Sequence, residues 1–175
     1  MNYAEIKTFD VANGPGIRVS LFVSGCNHRC PGCFNEQAWD FNFGQPFTQE
    51  TINYIIDTLS FGAYQAVTFL GGEPMEPVNQ KGLLPLARKI KETYPEKDIW
   101  CFTGYDFEKD IIGHMYNECP ETKELLSYID VLVDGPFIEA QKNLNLAFRG
   151  SENQRLIRIP ETLKTGNIVL WEKEM

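Results

Sequence analysis

The chain has no long apolar run. No stretch approaches the ~20 residues needed to cross a bilayer, so no membrane-spanning helix is expected. Basic residues are scarce: 16 Lys and Arg stand against 24 Asp and Glu, a net charge of −8. A nucleic-acid-binding face needs a basic patch or stripe. The basic cluster from Arg149 to Arg158 is too local for that and suits an anionic group or a partner protein. The first ten residues, Met1 to Asp10, contain no apolar leader core and no cleavage signature, which predicts a cytoplasmic protein. Internal repeats, low-complexity tracts and long linkers are absent. Five cysteines, an odd number, argue for free thiols in a reducing compartment rather than a disulfide framework.

What remains is an ordinary globular composition, 43% hydrophobic and 23% charged, with aromatics at 13%. A length of 175 residues predicts one domain, 1–175, able to bury a core without staples.

Three of the cysteines fall in one short stretch, Cys26-Asn-His-Arg-Cys30-Pro-Gly-Cys33. The Cys-x3-Cys-x2-Cys spacing offers three thiolates to a metal centre and no local fourth ligand. A cubane iron–sulfur cluster takes four ligands, usually all cysteine, so three would leave one iron open to a small molecule. An open coordination position is a catalytic rather than a structural feature. The alternative is part of a zinc site completed by Cys101, Cys119, His28 or His114. Zinc sites favour two Cys-x-x-Cys pairs or a Cys2His2 pattern, and neither is present.

Strand and helix signals alternate along the chain. An edge strand is expected over Ala4–Phe9, a turn at Val11–Gly16, and a strand at Arg18–Ser24 that runs into the cysteine loop. Thr48–Leu59 has helical periodicity with Thr48 as N-cap. Ala66–Leu70 reads as a buried strand, Leu83–Tyr94 as a helix and Asp98–Phe102 as a strand. A short helix is expected near Lys123–Tyr128 and a strand at Ile129–Val133, with short strands near Leu156–Ile159 and Ile168–Trp171. This alternation predicts an α/β fold with a mostly parallel sheet. Each suspected motif follows a strand, and ligands of parallel α/β sheets sit at the carboxyl ends of the strands. The chain is too short for an eight-fold barrel of about 250 residues, which leaves an open, partial (β/α) barrel.

The cysteine spacing, followed by Gly71-Gly72-Glu73-Pro74 after a strand, resembles the radical S-adenosylmethionine (SAM) enzymes. Cys30-Pro-Gly-Cys33-Phe34-Asn35, Asn13-Gly-Pro-Gly16-Ile-Arg18, Trp100-Cys-Phe-Thr103-Gly104-Tyr105, Asp130-Val-Leu-Val-Asp134-Gly-Pro-Phe137 and Arg149-Gly-Ser-Glu-Asn-Gln-Arg155 resemble one subfamily. That subfamily comprises the activating proteins of anaerobic ribonucleoside-triphosphate reductase. The resemblance runs in order from Asn13 to Arg155. It implies a radical SAM partial barrel and a [4Fe–4S] cluster on Cys26, Cys30 and Cys33, with SAM as cosubstrate at the open iron. It further implies SAM contacts from Gly32, Cys33, Phe34, Gly71, Gly72, Glu73, Thr103 and Asp134, with Glu73 supporting its loop. Many members carry an aromatic residue where Gly32 stands. The implied activity is reductive cleavage of SAM to a 5′-deoxyadenosyl radical that oxidises a glycine of the reductase large subunit. Reduced flavodoxin is the implied electron donor, and an anaerobic setting is implied by an exposed iron.

Other readings stay open at this stage. The chain could be another radical SAM enzyme, of the pyruvate formate-lyase activase or deazapurine synthase type, or a non-enzymatic iron–sulfur electron carrier. Cys101 reads as a small buried residue and Cys119 carries no clear role. His28 reads as solvated or as tuning the cluster, His114 as a surface residue, and Arg18 as a carboxylate holder or an exposed strand start. Arg149 and Arg155 read as a clamp, a docking surface or a solvated loop.

Overall fold

A computed structural model describes residues 1–172. Its sheet contains β1 (Asn2–Asp10), β2 (Ile17–Val23), β3 (Gln45–Pro46), β4 (Tyr64–Gly71), β5 (Asp98–Phe102), β6 (Val131–Asp134) and β7 (Arg155–Arg158). The spatial order is β3-β1-β2-β4-β5-β6-β7. Strands β2, β4, β5 and β6 run parallel, while β1, β3 and β7 pair antiparallel at the flanks. The expected α/β class and mostly parallel sheet are therefore present. The expected edge strand β1 lies one place inward, although β3 covers only Asn2 and Tyr3 of it.

The helices are α1 (Gln49–Leu59), α2 (Pro77–Thr93), α3 (Tyr116–Glu118), α4 (Thr122–Tyr128) and α5 (Ile159–Thr165), with a π-helical segment at Phe107–Met115. Thr48 caps α1 as expected: its backbone N–H donates to Thr51 Oγ1 at 3.1 Å in a reciprocal box. Helix α2 begins six residues before the expected Leu83. Pro77 suits its first turn, but the buried amides Asn79 and Gln80 hide the apolar periodicity there. The π-helical segment and α5 have no clear signal in the sequence. The expected strand at Ile168–Trp171 reduces to one bridge, Ile157 to Leu170.

Alternation along the strands divides the core in two. Val19, Leu21, Val23, Val67, Phe69, Ile99, Cys101, Leu132 and Ile157 face the layer built by α1, α2, α4 and the start of α5. The opposite face carries a smaller cluster, Trp100, Val131, Val133 and Leu156, packed by Phe102, Phe148 and Trp171. The main helical layer thus covers one side. The lower half of the other side is filled by aromatic rings, with Trp100 5.4 Å from Phe148 and 5.1 Å from Trp171. Its upper half, at the carboxyl ends of the parallel strands, opens into a cavity.

Candidate active site

Loops leaving β2, β4, β5 and β6 meet around a cavity of about 230 Å³. The β2 loop supplies Cys26, His28, Cys30, Cys33 and Phe34, the β4 loop Gly71, Gly72 and Glu73, and the β5 loop Thr103 and Gly104. The chain's end adds Gly135, Phe137, Gly150 and Gln154. Gly32 and Asp134 do not line it.

The β2 and β4 loops are laced together through backbone. Gly72 N–H donates to Val23 O and Glu73 N–H to Gly25 O, each at 2.7 Å. Gly25 N–H donates to Ala38 O at 2.7 Å and Cys26 N–H to Trp39 O at 3.2 Å. This packing leaves no room for side chains. A Cβ on Gly71, where φ is +104°, would fall 2.7 Å from Val23 N; one on Gly72 would fall 2.6 Å from Gly25 O. Gly72→Ala is expected to push the two loops apart and destabilise the chain by ~1–3 kcal/mol. Urea unfolding checks this, and a variant as stable as wild type would show that the approach is slack.

Glu73 is 1% exposed and acts as a hub. Its Oε1 accepts from Gly104 N–H at 2.6 Å and pairs with His28 Nε2 at 2.7 Å. Its Oε2 accepts from Met75 N–H and from the Thr103 hydroxyl, both at 2.8 Å. The carboxylate therefore braces three loops, and the Thr103 hydroxyl is committed with it. His28, expected in solvent, packs edge-on against Tyr105 with ring centroids 4.3 Å apart. Burial opposes its imidazolium, but the hydrogen bond and charge of Glu73, with Glu76 and Asp110, outweigh that and raise its pKa.

Asp134 is likewise engaged elsewhere. It accepts from Arg155 Nη2 at 2.6 Å, Arg155 Nε at 3.0 Å and Phe107 N–H at 2.9 Å. Arg155 also grips Glu108 through two nitrogens, so it is a clamp within the fold and the loop is not simply solvated. Its neighbour Gln154 does reach the cavity. The Gln154 Oε1 accepts from Gly150 and Ser151 N–H, and Nε2 donates to Gly135 O at 3.0 Å. That latch holds Phe137 and Gly150 over the opening. Phe34, 74% exposed at the rim, lies 5.7 Å from the Phe137 ring, with Lys142 above it at 5.2 Å.

Arg18 lies at the other end of the sheet and is fully buried, not exposed. It donates to Thr68 Oγ1 at 2.8 Å and Pro15 O at 2.9 Å and pairs with Asp98 at 2.5 Å. The Gly-Pro-Gly-x-Arg element thus closes the amino end of the sheet.

The three cavity cysteines are free thiols. Burial, reinforced by the charge of Glu73, pushes the Cys26 thiol up to about 11 despite opposing backbone hydrogen bonds from His28 and Arg29. Only a strongly electrophilic centre would hold that thiol deprotonated. Three of the four candidate fourth ligands for zinc are engaged elsewhere: His28 pairs with Glu73, Cys101 is buried in β5, and Cys119 packs near Gln80. Three thiols spread around one cavity fit a cubane cluster, whose irons take separate ligands.

Comparison with known proteins agrees. Residues 12–157 match the model of a 4Fe-4S single cluster domain. An anaerobic ribonucleoside-triphosphate reductase-activating protein of Enterobacteria phage T4 is 43% identical over 158 residues, covering 89% of this chain and 93% of the relative. Relatives of the same name from Haemophilus influenzae and Escherichia coli are 41% and 40% identical, covering 90% and 88% of this chain and 98% and 96% of their own. The chain belongs to the anaerobic ribonucleoside-triphosphate reductase-activating proteins. Its 4Fe-4S domain match spans the cysteine loop, which lines the cavity. Among the described residues no helix is long and apolar enough to cross a membrane.

Proposed function

We propose that this chain activates an anaerobic ribonucleoside-triphosphate reductase by cleaving SAM reductively at a [4Fe–4S] cluster held by Cys26, Cys30 and Cys33. The observation that supports this most is the meeting of the three thiols with Gly71, Gly72 and Gly104 at the carboxyl ends of adjacent parallel strands. The cluster that Cys26, Cys30 and Cys33 would hold would supply one electron for reductive cleavage of the sulfonium C–S bond of SAM, giving methionine and a 5′-deoxyadenosyl radical that would take a hydrogen atom from a glycine of the reductase. By analogy with the family, reduced flavodoxin supplies the electron.

The chain's own residues bind, orient and shield. Gly71 and Gly72 let backbone polar groups approach the amino-acid end of SAM. Glu73 and Thr103 hold that backbone in place from behind. Phe34 and Phe137 offer apolar surface at the rim for the adenine or the incoming substrate. The single sheet, with its main helical layer on one side, is read as the wall of an open partial (β/α) barrel of the radical SAM type, with 1–175 as one domain. A macromolecular substrate suits this architecture, because the partner closes the side that the chain leaves open.

The test is anaerobic reconstitution with iron and sulfide, then reduction with dithionite in the presence of SAM. The expected result is 5′-deoxyadenosine with a cluster EPR signal perturbed by SAM, and a glycyl radical once the reductase is added. A sound, reducible cluster that neither binds nor cleaves SAM would overturn the reading in favour of an electron carrier.

A further inference from the structure

Asn79 stands near the start of α2, fully buried behind the two loops that form the cavity floor. Its Nδ2 donates to Ser24 O at 3.0 Å and Glu73 O at 2.9 Å, and lies 3.4 Å from Gly25 O. Ser24 and Gly25 lead directly into Cys26, and Glu73 follows Gly72. One amide group therefore ties the cysteine loop to the glycine loop from below.

The other half of the same amide is unused: Asn79 Oδ1 is buried and has no partner among the described residues. An unpaired buried acceptor costs stability, because it gives up its hydrogen bond to water and gains none. A leucine would avoid that cost but would take the Nδ2 donor away from Ser24 O and Glu73 O. What the amide contributes at this position is therefore its tie between the two loops. Asn79 does not itself line the cavity.

We propose that Asn79 is a positioning residue, which sets the spacing between the Cys26 loop and the Gly71–Glu73 loop and so aligns SAM with the cluster. The proposal rests on the reading of the site given above. It separates two tasks that the floor performs. Cluster loading depends on the cysteine loop alone. SAM alignment depends on both loops and on the distance between them. A misplacement of about 1 Å can cost 100-fold in rate.

The test compares wild type, Asn79→Leu and Asn79→Asp as full-length chains. Asn79→Asp keeps the shape and replaces the donor by an oxygen facing three carbonyls. Melting of the iron-free chains, iron and sulfide content, amide hydrogen exchange, SAM affinity by equilibrium dialysis and 5′-deoxyadenosine yield are measured. Both variants are expected to fold and to load iron within about twofold of wild type. Exchange is expected to accelerate at Gly72 and Glu73, SAM affinity to fall about tenfold and cleavage about 100-fold. Folded, loaded variants with unchanged SAM affinity and cleavage overturn the positioning role alone. Parallel loss of iron and SAM binding also overturns it, by reducing Asn79 to a support of the cysteine loop. Unfolding of both variants overturns it too, since Asn79 then serves the fold. A loaded wild-type chain that binds no SAM removes the reading of the site, and the proposal with it.

Discussion

Cys26→Ser is expected to give a folded chain that loads almost no cluster and cleaves SAM at least about 100-fold more slowly than wild type. Losing even a supporting partner of a metal ligand costs about 10–100-fold, so losing a ligand should meet or exceed the upper figure. The fold should survive because the exchange is nearly isosteric and the Cys26 thiol, raised to about 11, bears no charge that the apo fold relies on. The buried hydroxyl costs about 1–3 kcal/mol if it finds no partner. Circular dichroism checks the fold, and iron and sulfide analysis checks the cluster. Cys101→Ser is the control, because Cys101 lies inside β5 and away from the cavity. If Cys26→Ser carried wild-type iron and produced 5′-deoxyadenosine normally, the cluster assignment would be wrong.

The second large effect is expected at Glu73, and it concerns stability before catalysis. Glu73→Ala strips the partner from Gly104 N–H, Met75 N–H, the Thr103 hydroxyl and His28 in one step. Removing one member of a buried, hydrogen-bonded charged group costs about 3–5 kcal/mol. We expect a loss of that size in urea unfolding of the iron-free chain. Glu73→Gln keeps the shape but turns an N–H₂ toward groups that are themselves donors, so it should recover only part of the loss. Iron-free stability within about 0.5 kcal/mol of wild type for Glu73→Ala would show that the hub does not hold the loops.

The sequence and the structure agree best where chemistry is written in contiguous residues. The cysteine triplet, the paired glycines after β4 and the strand ends that carry them are all local signals, and the cavity brings them together. The N-cap at Thr48 is equally local. What stayed hidden depends on pairings across the chain. The resemblance implies that Glu73 supports its loop, which its hydrogen bonds match, but it gives Thr103 only as a ligand contact. That Thr103 gives its hydroxyl to Glu73 is a property of neighbouring strands, not of either motif. The same holds for Asp134, whose partner Arg155 lies on the antiparallel strand beside it. His28 looked solvated because nothing nearby in the chain pairs with it; Glu73 and Tyr105 arrive from other strands. Gln154 and Phe137 were within quoted motifs, yet their role as the roof depends on how the last loop folds back. Helix α2 was shortened for a related reason. Asn79 and Gln80 sit where apolar residues are expected, and their Nδ2 and Nε2 groups donate to loop carbonyls rather than to solvent.

The amino end of the sheet sets the traffic of the reaction. Arg18, Thr68 and Trp100 are all at most 1% exposed there, with the guanidinium 5.4 Å from the Trp100 ring. This packing seals the base beneath the cavity, so the way in lies past the carboxyl-end loops and the rim of Phe34 and Phe137, not along the strands. A bulky partner seated on that rim would therefore stand in the path of whatever leaves the cavity.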